Sequence, residues 1–400
     1  MPLDVSGLTA EDVSQLTAED LSRLTSKQIS ALKPRAMRGL TGDVLSDLSS
    51  STVSSFDAQQ LRRLSPELFN VISKSQMAAV SPRALRGLTK RQVREFSKSA
   101  VTSLNARQVS NLPPEVFNVV SKQQVDALSP RAMRGLSKDQ VREFSNSAIT
   151  SLNARQVSKL PPEVFNVVSK QQVDALSPRA MRGLTKRQFL DFSNSAVASL
   201  NPRQLKQLPP DVFRVISKRQ IAAFSPKAVK SLSKQQLLKL PPSVFASFDA
   251  KQLGELSPSV LNNLSARQLS ELSPTAMGGM TSVQLNKMSR RQFKAFDSSQ
   301  LSELSVAAVK GLTTIHLGTL SAEQLSAFKR MKLKAIRPEV ISGLTPEALN
   351  GLTKHQVRAF SSDQLAGLSR RQLREASNFM NFLSGQQRRA VGGTRPAVTR

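Results

Sequence analysis

Residues 80–127 read VSPRALRG LTKRQVRE FSKSAVTS LNARQVSN LPPEVFNV VSKQQVDA, which is six segments of eight residues. Each octad begins with a large apolar residue and has a second one at its sixth position. The pattern starts at Leu8 and runs without an insertion to the octad that begins at Leu368, giving 46 consecutive octads. Because self-similarity at a short fixed period is typical of repeat proteins, we predict that each octad is one structural unit.

The start of each octad resembles the start of a helix. Its second position is Ser, Thr, Asn or Asp in 39 of the 46 octads, and such a side chain can accept the free backbone N–H groups of a first helical turn. The fifth position is commonly Gln, Asp or Glu, which completes a capping box. Pro at the third position, as in Pro82, Pro130 and Pro178, suits the first helical residue. Each octad is therefore predicted to be one very short helix.

The end of the octad and the period support the same reading. We expect the glycines at the eighth position to end helices in the left-handed conformation; these are Gly39, Gly87, Gly135 and Gly183. One continuous helix is excluded, because an eight-residue repeat drifts by about 80° per octad on a helical wheel. Strands are disfavoured by the spacing of five and then three residues between apolar positions. A lone octad buries too little apolar surface to fold, so the octads must stack.

Two longer periods lie above the octad. The fifth position alternates between Gln and a small apolar residue, as in Ala84, Gln92, Ala100 and Gln108, which predicts a 16-residue pair. A 48-residue block is also repeated, since residues 80–127 and 128–175 differ at only seven positions. We therefore expect an all-α fold: a superhelical α-solenoid of the right-handed type, built from tandem short helices in 8-residue repeats and 16-residue pairs. Its expected parts are acidic N-terminal capping repeats at 1–31, an octad-repeat solenoid at 32–375, and a closing segment with a basic flexible tail at 376–400.

The residues that catalysis uses are scarce. The chain has no Cys and only two histidines, of which His316 replaces Gln in a capping position and His355 lies on a predicted polar face. Repeated Ser residues are explained by helix capping, and neither a Walker loop nor a G-x-G-x-x-G motif is present. We expect no enzyme, catalytic residue, metal site, cofactor or small-molecule substrate. The alternative is an enzyme site hidden in the irregular repeats from 280 to 335.

Positive charge is the stronger functional signal. The chain has 57 Lys and Arg against 28 Asp and Glu, a net charge of +29. Many arginines recur at equal octad positions, which a solenoid would align into stripes that suit an extended polyanion such as a sulfated glycan, a nucleic acid or an anionic membrane. The alternative is a solvated face that keeps the array soluble. The candidate binding residues are Arg83, Arg86, Arg107, Arg131, Arg134, Arg155, Arg179, Arg182 and Arg203.

Aromatic residues limit how a nucleic acid could be read. Of the 18 Phe residues, 16 lie at octad positions one or six, and the chain has no Tyr or Trp. We predict that these Phe side chains are core, so they cannot stack on bases. Any binding of nucleic acid should be directed to the backbone, sensitive to salt and independent of sequence.

Several octads are similar to those of a known family. LSPELFNV at 64–71, LPPEVFNV at 112–119, and the segments 240–261 and 336–349 resemble the helical repeats of the mesothelin, stereocilin and otoancorin family. Octads of the L-T-T-x-Q-V-x-x kind also look like repeats of large bacterial surface proteins. The resemblance implies a superhelical α-solenoid at cell surfaces or in extracellular matrix that acts in adhesion.

Together these observations predict a non-enzymatic scaffold for cell adhesion or matrix attachment, with a protein or sulfated-glycan partner. The alternative is an intracellular basic solenoid that binds nucleic acid without sequence specificity. The N-terminal sequence MPLDVSGLTAEDVSQL has acidic residues where a signal peptide has a basic start, and no long apolar stretch follows. We therefore expect neither a signal peptide nor a transmembrane segment in this chain, while the resemblance implies an extracellular or cell-surface location.

Overall fold

The computed structural model of the protein describes residues 4–392. These residues form 40 α-helices of four to eight residues and eight 3-10 helices, and none of them lies in a β-strand. The chain divides into two compact units, one ending at Val212 and the other beginning at Phe213. The prediction of an all-α fold of tandem short helices is confirmed, and the hand of the superhelix stays a prediction.

The α-helices of the first unit are Ala10–Ser14, Ala18–Ser22, Ser26–Ala31, Gly42–Asp47, Ser50–Ser54, Ala58–Arg63, Leu68–Val71, Lys74–Ala79, Lys90–Arg94, Lys98–Ser103, Ala106–Asn111, Lys122–Ala127, Lys138–Glu143, Asn146–Ile149, Ala154–Val157, Lys170–Ala175, Pro178–Met181, Lys186–Leu190, Asn194–Ala198 and Pro202–Gln207. The α-helices of the second unit are Lys218–Ala223, Pro226–Lys230, Lys234–Leu238, Ala250–Glu255, Pro258–Leu261, Ala266–Ser270, Pro274–Met277, Ser282–Asn286, Arg290–Phe293, Ser298–Ser302, Val306–Val309, Thr314–Leu317, Ala322–Ser326, Arg330–Ala335, Pro346–Asn350, Lys354–Val357, Ser362–Ala366, Arg370–Glu375, Ser377–Phe382 and Gly385–Gly392. The 3-10 helices are Ala36–Gly39, Ala84–Gly87, Pro114–Asn118, Ala132–Gly135, Pro162–Asn166, Pro210–Arg214, Pro242–Ser247 and Pro338–Gly343.

The second octad position caps the helices as predicted. Asn105 is typical: its Oδ1 accepts the backbone N–H of Gln108 at 3.0 Å, and the Oε1 of Gln108 accepts the backbone N–H of Asn105 at 3.0 Å. Both free N–H groups are thus satisfied by one reciprocal pair. The same capping box recurs in many octads of both units, so each helix begins at a position that its own sequence fixes.

Octads that have proline at the second position, in place of a capping residue, form a 3-10 helix. Every octad of this kind, such as the one containing Pro113, holds a 3-10 helix with no α-helix. Pro at the third position behaves in two ways, since Pro178 begins an α-helix whereas Pro82 and Pro130 lie two residues before 3-10 helices. The predicted role of Pro as the first helical residue therefore holds only for some octads.

Helices lie against one another at a separation of three octads. Lys98–Ser103 packs on Lys74–Ala79, and Pro226–Lys230 packs on Ala250–Glu255. Through the octad region of each unit, the helix found beside a given helix is the one three octads earlier or later. The octads of a unit therefore form three stacks, and consecutive octads belong to different stacks. The fifth position does alternate with a period of two octads, as the sequence indicated. The helices, however, stack with a period of three octads and not as 16-residue pairs.

The buried glutamines link the octads. Gln140 is 1% exposed, and its Oε1 accepts the backbone N–H of Ser137 at 2.9 Å. Its Nε2 donates to the carbonyls of Val109 and Leu112, each at 2.8 Å. These carbonyls lie where one helix ends and the next octad begins, and the carbonyl of Val109 also accepts the backbone N–H of Leu112 at 3.2 Å. The fifth-position Gln therefore caps its own helix and the end of an earlier one.

The glycines at the eighth position have a role that the sequence did not indicate. No glycine in the described residues has a positive φ, so the prediction of left-handed helix ends at Gly39, Gly87, Gly135 and Gly183 is wrong. A Cβ added to Gly135 would lie 1.9 Å from the carbonyl oxygen of Ala106. The other three glycines meet a backbone carbonyl oxygen of a stacked octad in the same way, at 1.7–1.9 Å. Glycine is needed because two stacked backbones touch there.

Both ends of the octad region are helical. The three octads from 8 to 31 have capping boxes, and hydrogen bonds from Thr9 hold the pKa of Asp12 below its ordinary value. The closing segment includes helix Ser377–Phe382, whose Phe379 is fully buried edge-on against Phe360 at 5.5 Å between ring centres. Residues 393–400 of the predicted basic flexible tail lie outside the described residues.

A basic stack as the candidate binding surface

One stack of the first unit begins with the acidic octad 8–15 and continues with every third octad, and we call its part from 32–39 onward the basic stack. Its helices contact in order; for example, Ala106–Asn111 lies against both Ala84–Gly87 and Ala132–Gly135. The next contact includes a hydrogen bond of 2.9 Å from Gln156 Nε2 to the carbonyl of Leu128. The octads of the basic stack are 32–39, 56–63, 80–87, 104–111, 128–135, 152–159, 176–183 and 200–207.

Charge is concentrated on this stack. Its eight octads carry 16 Lys and Arg and a single carboxylate, Asp57, which is a helix cap. The second stack of this unit, taken from octad 40–47 to octad 184–191, carries seven basic and nine acidic residues. The third stack, taken from octad 48–55 to octad 192–199, carries four basic and two acidic residues. All 16 cations are exposed, and in residues 4–392 none of them is found in an ion pair. The excess charge of this unit is therefore held on one stack.

All nine arginines that the sequence singled out belong to the basic stack. Two of them are held by side chains of the next octad of the stack: Arg86 Nε donates to Asn111 Oδ1 at 2.7 Å, and Arg182 Nε donates to Gln207 Oε1 at 2.6 Å. In both hydrogen bonds the donor and acceptor residues are the same number of positions apart in the sequence. Both pairs therefore have the same alignment of one octad on the next octad of the stack. The remaining seven arginines are exposed on the same octads. Their role in binding stays a prediction.

Seven further cations of the basic stack were not predicted from the sequence, namely Lys33, Arg35, Arg38, Arg62, Arg63, Lys159 and Lys206. They can be identified in the sequence because every third octad is basic. A comparison of equal positions in the 48-residue blocks does not show this spacing. Four of them converge at one place. An open surface groove is lined by Lys33, Pro34, Arg35, Gln59, Arg62 and Arg63.

The spacing along the stack suits repeated anionic groups. Packed helices lie about 8–10 Å apart, so each octad offers one to three cations at roughly that interval. Arginine presents a planar set of N–H donors that matches sulfate or phosphate oxygens in pairs. The surface can therefore contact several anionic groups of one chain at the same time.

Aromatic side chains are absent from this surface. The 16 Phe residues at octad positions one and six are buried, as predicted, and each is at most 5% exposed. They pack on one another across octads, for example Phe117 and Phe144 at 5.1 Å between ring centres. The basic stack therefore has charge and hydrogen-bond donors but no platform on which bases could stack.

The two histidines lie in different surroundings. His316 is buried: its Nδ1 accepts the backbone N–H of Thr313 at 3.3 Å and its Nε2 lies 2.8 Å from the carbonyl of Met288. Its ring stacks on Phe293 at 4.7 Å, and burial lowers its pKa. His316 thus takes the place of a capping Gln, as predicted, while His355 is exposed. Within residues 4–392 there is no group of three His, Cys, Asp or Glu side chains that could hold a metal ion.

No helix in the described part of the chain has both the length and the apolar character to cross a membrane. No family model matches the sequence, and no curated protein matches it. A solved structure described as "Structure of APUM23-GGAAUUGACGG" is similar over 98% of this chain and 89% of that chain, with 12% identity and a TM-score of 0.17. A likeness at that TM-score carries no argument about fold or function.

Proposed function

We propose that this protein is a non-enzymatic repeat scaffold that binds an extended polyanion along the basic stack. The observation that carries the proposal is the ratio of 16 exposed cations to one carboxylate on eight consecutive stacked octads. A solvated face that served only solubility would need no such segregation, because the same charges spread over three stacks would repel one another less.

Sulfated glycan is the partner that we propose first. The resemblance to the mesothelin family favours attachment at a cell surface or in matrix, where glycans are the abundant polyanions. Sulfate groups offer three oxygens to paired guanidinium donors, and binding them requires no aromatic platform. Duplex nucleic acid offers phosphates to the same donors, so it is the alternative, and its binding would be independent of base sequence.

The test replaces three cations of the basic stack and, as a matched control, three cations elsewhere in the same unit. Arg83, Arg131 and Arg179 are changed together to Gln in the first variant. The control variant changes Arg94, Arg142 and Arg187, which are exposed on another stack. Both variants lose the same net charge, so a difference between them reports position and not bulk charge.

Binding of heparin and of a duplex DNA is measured across a salt series of roughly 0.05–0.4 M. The variant of the basic stack is expected to lower the slope of log affinity against log salt by about three, and the control by less than one. Equal slopes for the two variants, or no binding of either ligand at low salt, would contradict the proposal and support the alternative that these arginines only form a solvated face. Heparin binding that exceeds duplex binding at about 0.15 M salt supports the glycan, and the reverse order supports the nucleic-acid alternative.

A further inference from the structure

The second unit has an apolar strip on its surface. Val283, Val306 and Met331 are 57%, 39% and 63% exposed. Val306 is the one large aliphatic residue at a third octad position, and the fourth position, which Val283 and Met331 occupy, is polar in most octads. They belong to octads 280–287, 304–311 and 328–335, whose helices pack on one another in that order. We call these three side chains, which lie on three stacked helices within the irregular repeats, the apolar strip.

The register of stacked octads places two of these residues side by side. In this unit a third-position residue lies beside the fourth-position residue of the next octad in the stack, as Ser298 Oγ shows by donating to Glu323 Oε1 at 3.0 Å. Val306 and Met331 occupy the same third and fourth positions of two stacked octads. Val283 is on the helix that packs against the other side of the helix of Val306.

The octads of the apolar strip are basic. Its three octads contain no Asp or Glu, and five of their cations are exposed. None of the five forms an ion pair with a carboxylate in the part of the chain that the structure describes. A sixth cation, Lys332, is half-buried, and its Nζ donates to the carbonyl of Ser302. The exposed cations are Lys287, Lys310, Lys329, Arg330 and Lys334.

We propose that the apolar strip is a docking site for an acidic amphipathic helix of a partner protein. Stacked helices are about 8–10 Å apart, and seven residues of a partner helix rise about 10.5 Å, so apolar residues at i, i+7 and i+14 suit side chains on three stacked helices. Glu and Asp on both sides of that apolar line would meet the unpaired cations.

A membrane is the less suitable occupant. The strip is one side chain wide and purely aliphatic, whereas surfaces that insert into a bilayer are broad and commonly carry Trp or Phe. The strip also lies in the second unit, so its occupancy does not depend on the polyanion that we propose for the basic stack.

The test uses a fluorescent helical peptide of about 21 residues with Leu at i, i+7 and i+14 and Glu on its flanks, together with a second peptide that has Lys in place of Glu. Fluorescence anisotropy is measured with the wild-type chain, with the double variant Val306→Gln, Met331→Gln, and with Ile315→Gln. Ile315 is the matched control, because it is 62% exposed but belongs to an octad of a different stack.

The Glu peptide is expected to bind the wild type and the Ile315 variant alike, and the double variant at least about tenfold more weakly. Because the replaced side chains are exposed, far-UV circular dichroism should be the same for all three proteins. The proposal is overturned if the Glu peptide does not bind, if the Lys peptide binds equally well, or if the double variant retains full affinity. Binding to vesicles of phosphatidylcholine and phosphatidylserine but not to the Glu peptide overturns it in favour of a membrane.

Discussion

Replacing Gly135 tests the stacking of the octads directly. A Cβ at this residue would lie 1.9 Å from the carbonyl oxygen of Ala106, and real Cβ atoms do not approach a heavy atom within 3.0 Å. Gly135→Ala therefore forces the two backbones apart by more than about 1 Å. Neither atom is the end of a flexible side chain, so the strain cannot be relieved by a rotamer change.

The cost follows from what that separation removes. A gap of about 0.5–1 Å between packed surfaces already forfeits a quarter to a half of the dispersion energy across it. Overpacking a core costs about 1–3 kcal/mol where side chains can adjust. For a contact between backbones we expect the upper end, about 3 kcal/mol, for Gly135→Ala. The loss should be local, because each repeat of a solenoid contacts only its stacking neighbours.

Three variants separate the close contact from a helix-ending role. Gly42→Ala is the control, since a Cβ there meets nothing within 4 Å and Ala in a helix is favoured over Gly by about 0.5–1 kcal/mol. Gly135→Asn distinguishes the two explanations, because Asn tolerates the left-handed conformation better than Ala does but is larger. Stability is measured by urea unfolding, and local stability by hydrogen exchange of residues 104–136.

We expect Gly135→Asn to be at least as destabilising as Gly135→Ala, with exchange protection lost around residues 104–136, while Gly42→Ala is as stable as the wild type or more so. If Asn at residue 135 were milder than Ala, or if Gly135→Ala behaved like Gly42→Ala, the inference that two backbones touch at this glycine would be refuted.

Two further predictions concern the fifth octad position. Because burial lowers the pKa of His316, the unfolded chain takes up a proton more readily than the folded one, so stability should be full above about pH 6.5 and fall as the pH drops below it. His316→Gln should abolish that loss and His355→Gln should not, as measured by thermal unfolding between about pH 5 and 8; the same loss in both variants would contradict the assignment. Gln140→Ala removes two buried hydrogen bonds and one partly buried one and should cost about 3 kcal/mol, whereas Gln123→Ala, at an exposed position, should stay within about 0.5 kcal/mol. Equal urea midpoints for the two Gln variants would contradict the linking role.

Local features of this fold could be predicted from the sequence because they are set within one octad. The cap at Asn105 depends on Gln108, three residues away, and the burial of Phe117 follows from its place in the apolar pattern of its own octad. The stacking period could not be predicted in the same way, since every octad has the same two apolar positions and the pattern does not say which octads touch. Gly135 shows the limit most clearly, because a glycine that ends a helix and a glycine that admits a second backbone look identical in sequence.

Only some residues of the candidate site could be predicted from the sequence, again because the sequence does not say which octads touch. Arg83 and Arg131 were identified because they occupy equal positions in the 48-residue blocks. Arg62 and Arg63 belong to an octad outside the most regular blocks, so only the three-octad stacking period assigns them to the same surface. The groove that they line with Lys33 and others requires two octads to be adjacent, which is a non-local property of the fold.

The length of the repeated block, which is six octads, follows from the structure. Within the basic stack, octads with a fifth-position Gln alternate with octads that have a small residue there, as Ala84, Gln108 and Ala132 show. A repeat of three octads would keep the stacks but would place two octads of one kind together, so that the alternation at the fifth position would be lost. A repeat of two octads would keep the alternation but move each octad to another stack. Six octads is the shortest length that preserves both.

The two closest copies of that block differ in charge according to stack. Between 80–127 and 128–175, three of the seven differences change the charge. On the basic stack, Asn111 in the first copy corresponds to Lys159 in the second, which adds a cation. On the other two stacks, Arg91 corresponds to Asp139 and Lys98 to Asn146, which remove positive charge. The second copy is therefore less basic as a whole and more basic on this one surface, which is the difference expected if the basic stack, and not net charge, is the functional property.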